Sequence, residues 1–218
     1  PKYDLLNHVL SFGVDKRWRR RLVRRLAENN PSEVLDVATG TGDLAIAAAK
    51  YTQARITGVD IAEKMIEAGR KKIGKNGLNN RITLKTGDAE MLQFADDTFD
   101  AAIIAFGVRN FENLEAGIRE MLRVIKPNKP MLILEFSLPK NIMLKGFYLF
   151  YFNRVLPLVG QLLSGSKQAY RYLPESVASF PYGEGFTRLL QQFGAKKATA
   201  QKLSGGIATL YTASKEIT

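Results

Sequence analysis

Cysteine is absent from this sequence of 218 residues, and histidine occurs once, as His8. The first absence excludes disulfides, thiolate metal sites and thiol nucleophiles. The second excludes a metal site built from several histidines, so no metal ligands are assigned. The stretch before Trp18 has no continuous apolar core, so no secretory signal is read there. A cysteine-free chain fits a reducing cytoplasm. There is no low-complexity tract and no repeat at a solenoid or propeller period. A membrane-spanning run is lacking too. Residues 141–163 come nearest, being aromatic from Phe147 to Phe152 and aliphatic at Leu156, Leu158, Val159, Leu162 and Leu163. Lys145, Asn153, Arg154, Pro157 and Gln161 interrupt that run, which excludes a span. It reads instead as part of an inserted helical lid over about 141–180.

What is present fits one globular domain over residues 1–218: 45% of residues are apolar and 24% charged. Cations are in excess, with a net charge of +11. That charge suits a solvated basic surface, an anionic lipid surface or nucleic acid, and charge alone does not choose among them. Residues 3–12 and 16–29 read as two helices divided by Gly13. In the second, Trp18, Leu22, Val23 and Leu26 fall at helical spacing. Lys16, Arg17, Arg19, Arg20, Arg21, Arg24 and Arg25 take most of its remaining surface. The opening Pro1-Lys2-Tyr3-Asp4 reads as the inside of a motif, so a short piece is expected to precede it.

From Pro31 the chain alternates strand and helix. Strands are expected at 34–38, 55–60, 81–86, 99–106 and 131–136, and helices at 42–51, 62–74 and 112–125. The apolar run 99–106 suits a strand buried on both faces. This alternation predicts a parallel, doubly wound α/β sheet. A helix follows at about 183–193, then runs 196–203 and 207–214 meet across Ser204-Gly205-Gly206, a hairpin signal. By analogy of fold, a sheet finished by an antiparallel hairpin points to the class I S-adenosylmethionine-dependent methyltransferase (Rossmann-like) fold, with seven strands.

Gly40-Thr41-Gly42 follows the first strand and opens a helix. Glycine there permits a tight turn and close approach of backbone to a ligand. Read alone, the loop also fits a plain turn or a loose NAD fingerprint. Asp36, four residues before Gly40, suits a cationic ligand. Asp60, followed by Ile61, ends the next strand 18 residues after Gly42, where a carboxylate can accept ribose hydroxyls. Gly87-Asp88-Ala89 follows the third strand, at the loop where methyltransferases bind the adenine amine. Together these favour S-adenosylmethionine.

Several longer runs narrow the reading. They are Tyr3-Asp4-Leu5-Leu6-Asn7 with Leu10-Ser11-Phe12-Gly13, Trp18-Arg19, the glycine loop with Asp43, Phe106-Gly107-Val108-Arg109-Asn110, Glu135-Phe136-Ser137 with Pro139, and Tyr170-Arg171-Tyr172-Leu173-Pro174-Glu175-Ser176-Val177 with Phe180-Pro181. On these runs the whole chain resembles the C-methyltransferases of menaquinone and ubiquinone biosynthesis. The resemblance implies methylation of a ring carbon of a prenylated hydroquinone, converting demethylmenaquinol to menaquinol. It implies cofactor contacts at Thr41, Asp60, Asp88 and Ala89. Where the family often has a serine, this chain has Ala105, which leaves only a backbone contact there. Tyr3 is expected over the cofactor or in simple helix packing, Phe106 along the quinone pocket, and Tyr170, Tyr172 and Ser176 either along that pocket or as anchors of the lid. Members of such a family often pair, so a homodimer is compatible with this reading.

Methyl transfer to carbon needs a deprotonated quinol, stabilisation of its charge and exclusion of water. Arg109 and Asn110, just past the strand 99–106, are candidates to stabilise the phenolate and to orient the hydroxyl. Asp43 is the candidate base, or else a first-turn helix acid favourable to the dipole. His8 is read as structural. The aromatic stretch 147–152 is a wall for the prenyl tail or ordinary core, and the basic helix rests on anionic headgroups or in solvent. The resulting expectation is a cytoplasmic enzyme at the inner face of the membrane, with no nucleic acid as partner. An RNA or protein methyltransferase, a non-catalytic cofactor-binding subunit and a dehydrogenase are the competing readings.

Overall fold

A computed structural model describes residues 13–139 and 179–216, with 141, 143, 146, 176 and 177 between them. The expected helix 3–12, His8 and most of the lid, including the aromatic stretch 147–152, lie outside the described residues.

Helix α1 (Asp15–Ala27) precedes strand β1 (Glu33–Val37) and helix α2 (Asp43–Tyr51). Then come β2 (Arg55–Asp60), α3 (Glu63–Lys75), β3 (Ile82–Thr86), β4 (Ala101–Ala105), α4 (Leu114–Val124) and β5 (Pro130–Phe136). The described chain closes with α5 (Glu184–Gln192), β6 (Ala195–Leu203) and β7 (Ala208–Lys215). The strands form one seven-stranded sheet in the order β3-β2-β1-β4-β5-β7-β6. All pairings from β3 to β5 are parallel. β7 runs antiparallel to both β5 and β6. The alternating pattern and the terminal hairpin expected from sequence are both present.

The period of two along each strand divides the core. Val34, Ala101, Ile103, Leu132 and Leu134 face one side, where Leu22, Leu26, Ala48 and Ile66 pack from α1, α2 and α3. Leu35, Val37, Ala102, Ile104 and Ile133 face the other, against Ile118, Met121 and Leu190 from α4 and α5. A sheet buried on both faces is what apolar runs such as Ala101–Ala105 require.

Two expectations are corrected. The strand read as 99–106 is shorter, because Phe106 leaves it with φ 61° and Phe99 is held only by a bridge to Ile125. Arg19 does not join the solvated basic face of α1. It is 8% exposed, because it lies on the same stripe as Leu22, Val23 and Leu26, three, four and seven residues ahead of it.

Candidate active site

The strand order reverses at β1, whose neighbours are β2 and β4. Chains leaving these strands at their C-terminal ends turn to opposite faces, so a crevice opens between them. The loops after β1, β2, β3 and β4 line a cleft there of about 540 Å³.

The glycine loop is built on left-handed residues: Ala38 at φ 49°, Gly40 at 57° and Gly42 at 79°. Glycine suits this conformation, whereas Ala38 is strained in it. Thr39 N–H donates to the Val59 carbonyl at 2.9 Å and Gly42 N–H to the Thr39 carbonyl at 2.9 Å. Gly42 then starts α2. Helix α3 comes close underneath, since a Cβ on Gly69 would stand 3.1 Å from the Thr41 backbone.

Four carboxylates expected from sequence line the cleft: Asp36, Asp43, Asp60 and Asp88. Asp36 is 1% exposed. Its Oδ2 accepts the Thr39 hydroxyl at 2.6 Å, while Oδ1 is buried with no hydrogen-bond partner. Burial pushes its carboxyl up to about 7, against the pull of the Thr39 hydroxyl, the Ala45 amide and the Arg19 charge. A buried oxygen without a donor suits a cation arriving in the cleft. Asp60 accepts Gly40 N–H at 2.8 Å on Oδ2 and Ala62 N–H at 2.9 Å on Oδ1. These bonds fix the carboxylate and leave lone pairs on each oxygen for ligand hydroxyls. Asp88 takes the Glu90 N–H at 2.8 Å, which shapes the loop holding Ala89. Gly40, Ile61, Ala89 and Ala105 line the same cleft. The donor-poor, carboxylate-rich lining fits the sulfonium, the ammonium and the ribose of S-adenosylmethionine.

Thr41 and Gly42 are not among the lining residues. The Thr41 hydroxyl faces Lys72 Nζ at 3.2 Å, and the same ammonium pairs with Asp43. Asp43 is therefore a half-exposed carboxylate with a cationic neighbour from α3.

The segment after β4 forms the opposite wall. Phe106, Gly107 and Asn110 line the cleft, with Phe111 and Glu112 beyond. A side chain at Gly107 would bring Cβ within 2.7 Å of Ala38 Cβ, so this turn and the glycine loop approach closely only because Gly107 has none. Arg109 is turned inward and is not a lining residue. Its Nη1 donates to Glu135 Oε1 at 2.6 Å and to the Phe106 carbonyl at 2.9 Å, and both side chains of the ion pair are fully buried. Its guanidinium lies 5.4 Å from the Phe136 ring centroid. The pair ties the turn to β5.

Tyr3, Tyr170 and Tyr172 lie outside the described residues. Ser176 precedes buried Val177 and is not among the described lining residues. Sequence reasoning missed Arg19, Met65, Glu90 and Glu112 as lining residues. Only Arg19 carried a readable signal, its place on the apolar stripe of α1. Among the described residues no group of His, Asp or Glu is placed to hold a metal ion.

This sheet, with its carboxylate-lined cleft over the glycine loop, defines a class I S-adenosylmethionine-dependent methyltransferase. A methyltransferase from Aquifex aeolicus has the same fold, with a TM-score of 0.63 at 19% identity over 87% of each chain. More specifically, the chain belongs to the ubiE/COQ5 methyltransferase family, whose model matches residues 1–215. It is 43% identical to a demethylmenaquinone methyltransferase of Bacteroides fragilis, over 99% of this chain and 88% of that one. It is 46% identical to a ubiquinone/menaquinone biosynthesis C-methyltransferase of Geobacter sulfurreducens, over 99% of this chain and 84% of that one.

Proposed function

We propose that this methyltransferase acts on a ring carbon of a prenylated hydroquinone and converts demethylmenaquinol to menaquinol. The observation that carries the proposal is the 106–110 turn, Phe-Gly-Val-Arg-Asn, whose Phe106, Gly107 and Asn110 line the cleft opposite the cofactor loop. The names of the Bacteroides and Geobacter relatives agree with it. They divide between menaquinone alone and both quinones, so the naphthoquinol ring is the preferred acceptor and the benzoquinol ring the second.

Asp36, Gly40, Asp60, Asp88, Ala89 and Ala105 would hold S-adenosylmethionine, which supplies an electrophilic methyl group when bound. The acceptor must meet it as a phenolate, whose negative charge raises electron density at the ring carbon. Asp43 lies at the cleft, paired with Lys72, and takes the hydroxyl proton, directly or through a water. Asn110 orients the same hydroxyl. Bound S-adenosylmethionine would supply the methyl group to the ring carbon, and the proton displaced from that carbon would leave to solvent or base. Arg109, neutralised by Glu135, acts by holding the turn rather than as a free charge on the phenolate; it is a positioning residue.

The test is methyl transfer to short-chain demethylmenaquinol and to the corresponding benzoquinol under reducing conditions, read by mass spectrometry. Faster transfer to the naphthoquinol is expected, and no transfer to either quinol overturns the proposal. With the active substrate, Asp43→Asn is expected to lower kcat by about 10²-fold or more with little change in KM.

Among the described residues no helix is long and apolar enough to cross a membrane. The exposed cations of α1 would instead rest on anionic headgroups, which suits an acceptor that lives in the bilayer.

A further inference from the structure

The cleft lining holds Asp36, Asp43, Asp60, Asp88, Glu90 and Glu112, and among the described lining residues a single cation, Arg19. The chemistry at the methyl acceptor gives Arg19 no task. A bland reading is that it merely packs α1 to the sheet. Its setting argues for more.

Arg19 lies one turn after Asp15, which is fully buried, and Nη1 donates to Asp15 Oδ2 at 2.6 Å. The guanidinium stands 5.6 Å from the centroid of the Phe106 ring, itself part of the cleft wall. A guanidinium has five N–H donors, and a single bond to Asp15 leaves others for the cleft. Its charge reaches Asp36 and opposes the effect of burial there. A cation and a carboxylate therefore sit together at the β1 end of the cleft.

The direction of the cleft follows the sheet order β3-β2-β1. With adenine at the loop of Asp88 and Ala89, after β3, and ribose at Asp60, after β2, the amino-acid end of the cofactor falls after β1. That end carries one carboxylate and one ammonium. Arg19 and Asp36 are the complementary charges in the right place. We propose that Arg19 binds the α-carboxylate of S-adenosylmethionine, with Asp36 facing the ammonium and Asp15 positioning the guanidinium. This rests on the ribose lying at Asp60 and adenine at Asp88.

The test compares S-adenosylmethionine with its decarboxylated form, which keeps the ammonium and sulfonium, by calorimetric binding. Arg19→Gln is expected to weaken S-adenosylmethionine by about tenfold to a hundredfold, as for loss of a charge-assisted bond. Binding of the decarboxylated ligand should change less than about twofold by the same reasoning. Because Arg19→Gln leaves a buried carboxylate without its cation, the double variant Asp15→Asn/Arg19→Gln is measured beside it, with melting curves for both. The same selective loss in the double variant supports the assignment. Equal losses for the two ligands, or no loss for either, overturn it and leave Arg19 a packing residue. Asp60→Asn reads the ribose end and should weaken both ligands alike. If it weakens neither, the cofactor runs in another direction, and the assignment falls with that orientation rather than with Arg19.

Discussion

Buried charge is held in two ways in this molecule. Glu135 and Arg109 form a buried ion pair at 2.6 Å, whereas Asp36 has no ion-pair partner within bonding distance and keeps a buried oxygen without a donor. Removing one partner of a buried pair strands the other, which costs about 3–5 kcal/mol. Glu135→Ala is thus expected to lose roughly that much stability in urea unfolding, and Glu135→Gln less, because the amide oxygen still accepts from Arg109. Asp36 is governed by linkage. Its folded value, about 7, lies above the ordinary carboxylate value of 3.8, so the folded state binds the extra proton between them. Stability should therefore fall as pH rises from about 4 to about 7 and level off above, and Asp36→Asn should remove that slope. Binding of the cationic cofactor favours the ionised form, so proton release on binding is expected below about pH 7 and none in Asp36→Asn, measured calorimetrically in buffers of different ionisation enthalpy.

At the level of elements, the glycine loop depends on the helix beneath it. Replacing glycine by alanine inside a helix ordinarily gains about 1 kcal/mol. In α3 the sign depends on position. A Cβ on Gly69 would stand 2.5 Å from Leu84 Cδ1 and 3.1 Å from the Thr41 carbonyl oxygen. On Gly74 it would meet only Asn79, at 3.6 Å. Gly69→Ala is expected to cost about 1–3 kcal/mol by overpacking and to weaken S-adenosylhomocysteine binding by shifting the loop, whereas Gly74→Ala should be neutral or gain up to about 1 kcal/mol. Thermal unfolding and a binding titration on both variants check this; equal behaviour of the two would refute the packing argument. The elements themselves were legible because each carries its own period. Val34, Leu35 and Val37 announce a buried strand, and Trp18, Leu22 and Leu26 a one-sided helix. The end of β4 was misread because Phe106 is apolar, like a strand residue, while its positive φ is imposed by the turn that follows.

For the whole molecule, the net charge of +11 is not spread evenly. Lys16, Arg17, Arg20, Arg21, Arg24 and Arg25 are exposed along α1. Arg25 is compensated by Glu28 at 2.5 Å. The other five face solvent, and each would contribute on the order of 1 kcal/mol beside an anionic bilayer. Co-sedimentation with vesicles containing anionic phospholipid, and not with neutral ones, is the expected result. Arg20→Glu and Arg24→Glu should each weaken it by about fivefold or more, and salt of about 1 M should abolish it. Equal partition onto neutral vesicles, or preference for RNA over anionic lipid, would remove the membrane surface as partner.

The sequence determined the alternation of elements, the hairpin, the cofactor loop and the carboxylates Asp36, Asp60 and Asp88, because strand and helix periods and glycine turns are local properties. Which charges reach the cleft was decided only by tertiary structure. Arg109 stands in a run that reads as catalytic, yet Glu135, 26 residues away, draws it inward. Asp43 opens α2 as expected, but Lys72 of α3 pairs with it. Arg19 looks like one more cation on a basic helix, and its place on the apolar stripe puts it into the cleft. In each case the partner is distant in sequence, and burial, which only the assembled sheet and helices create, decides whether a charge meets solvent, a counter-ion or the ligand.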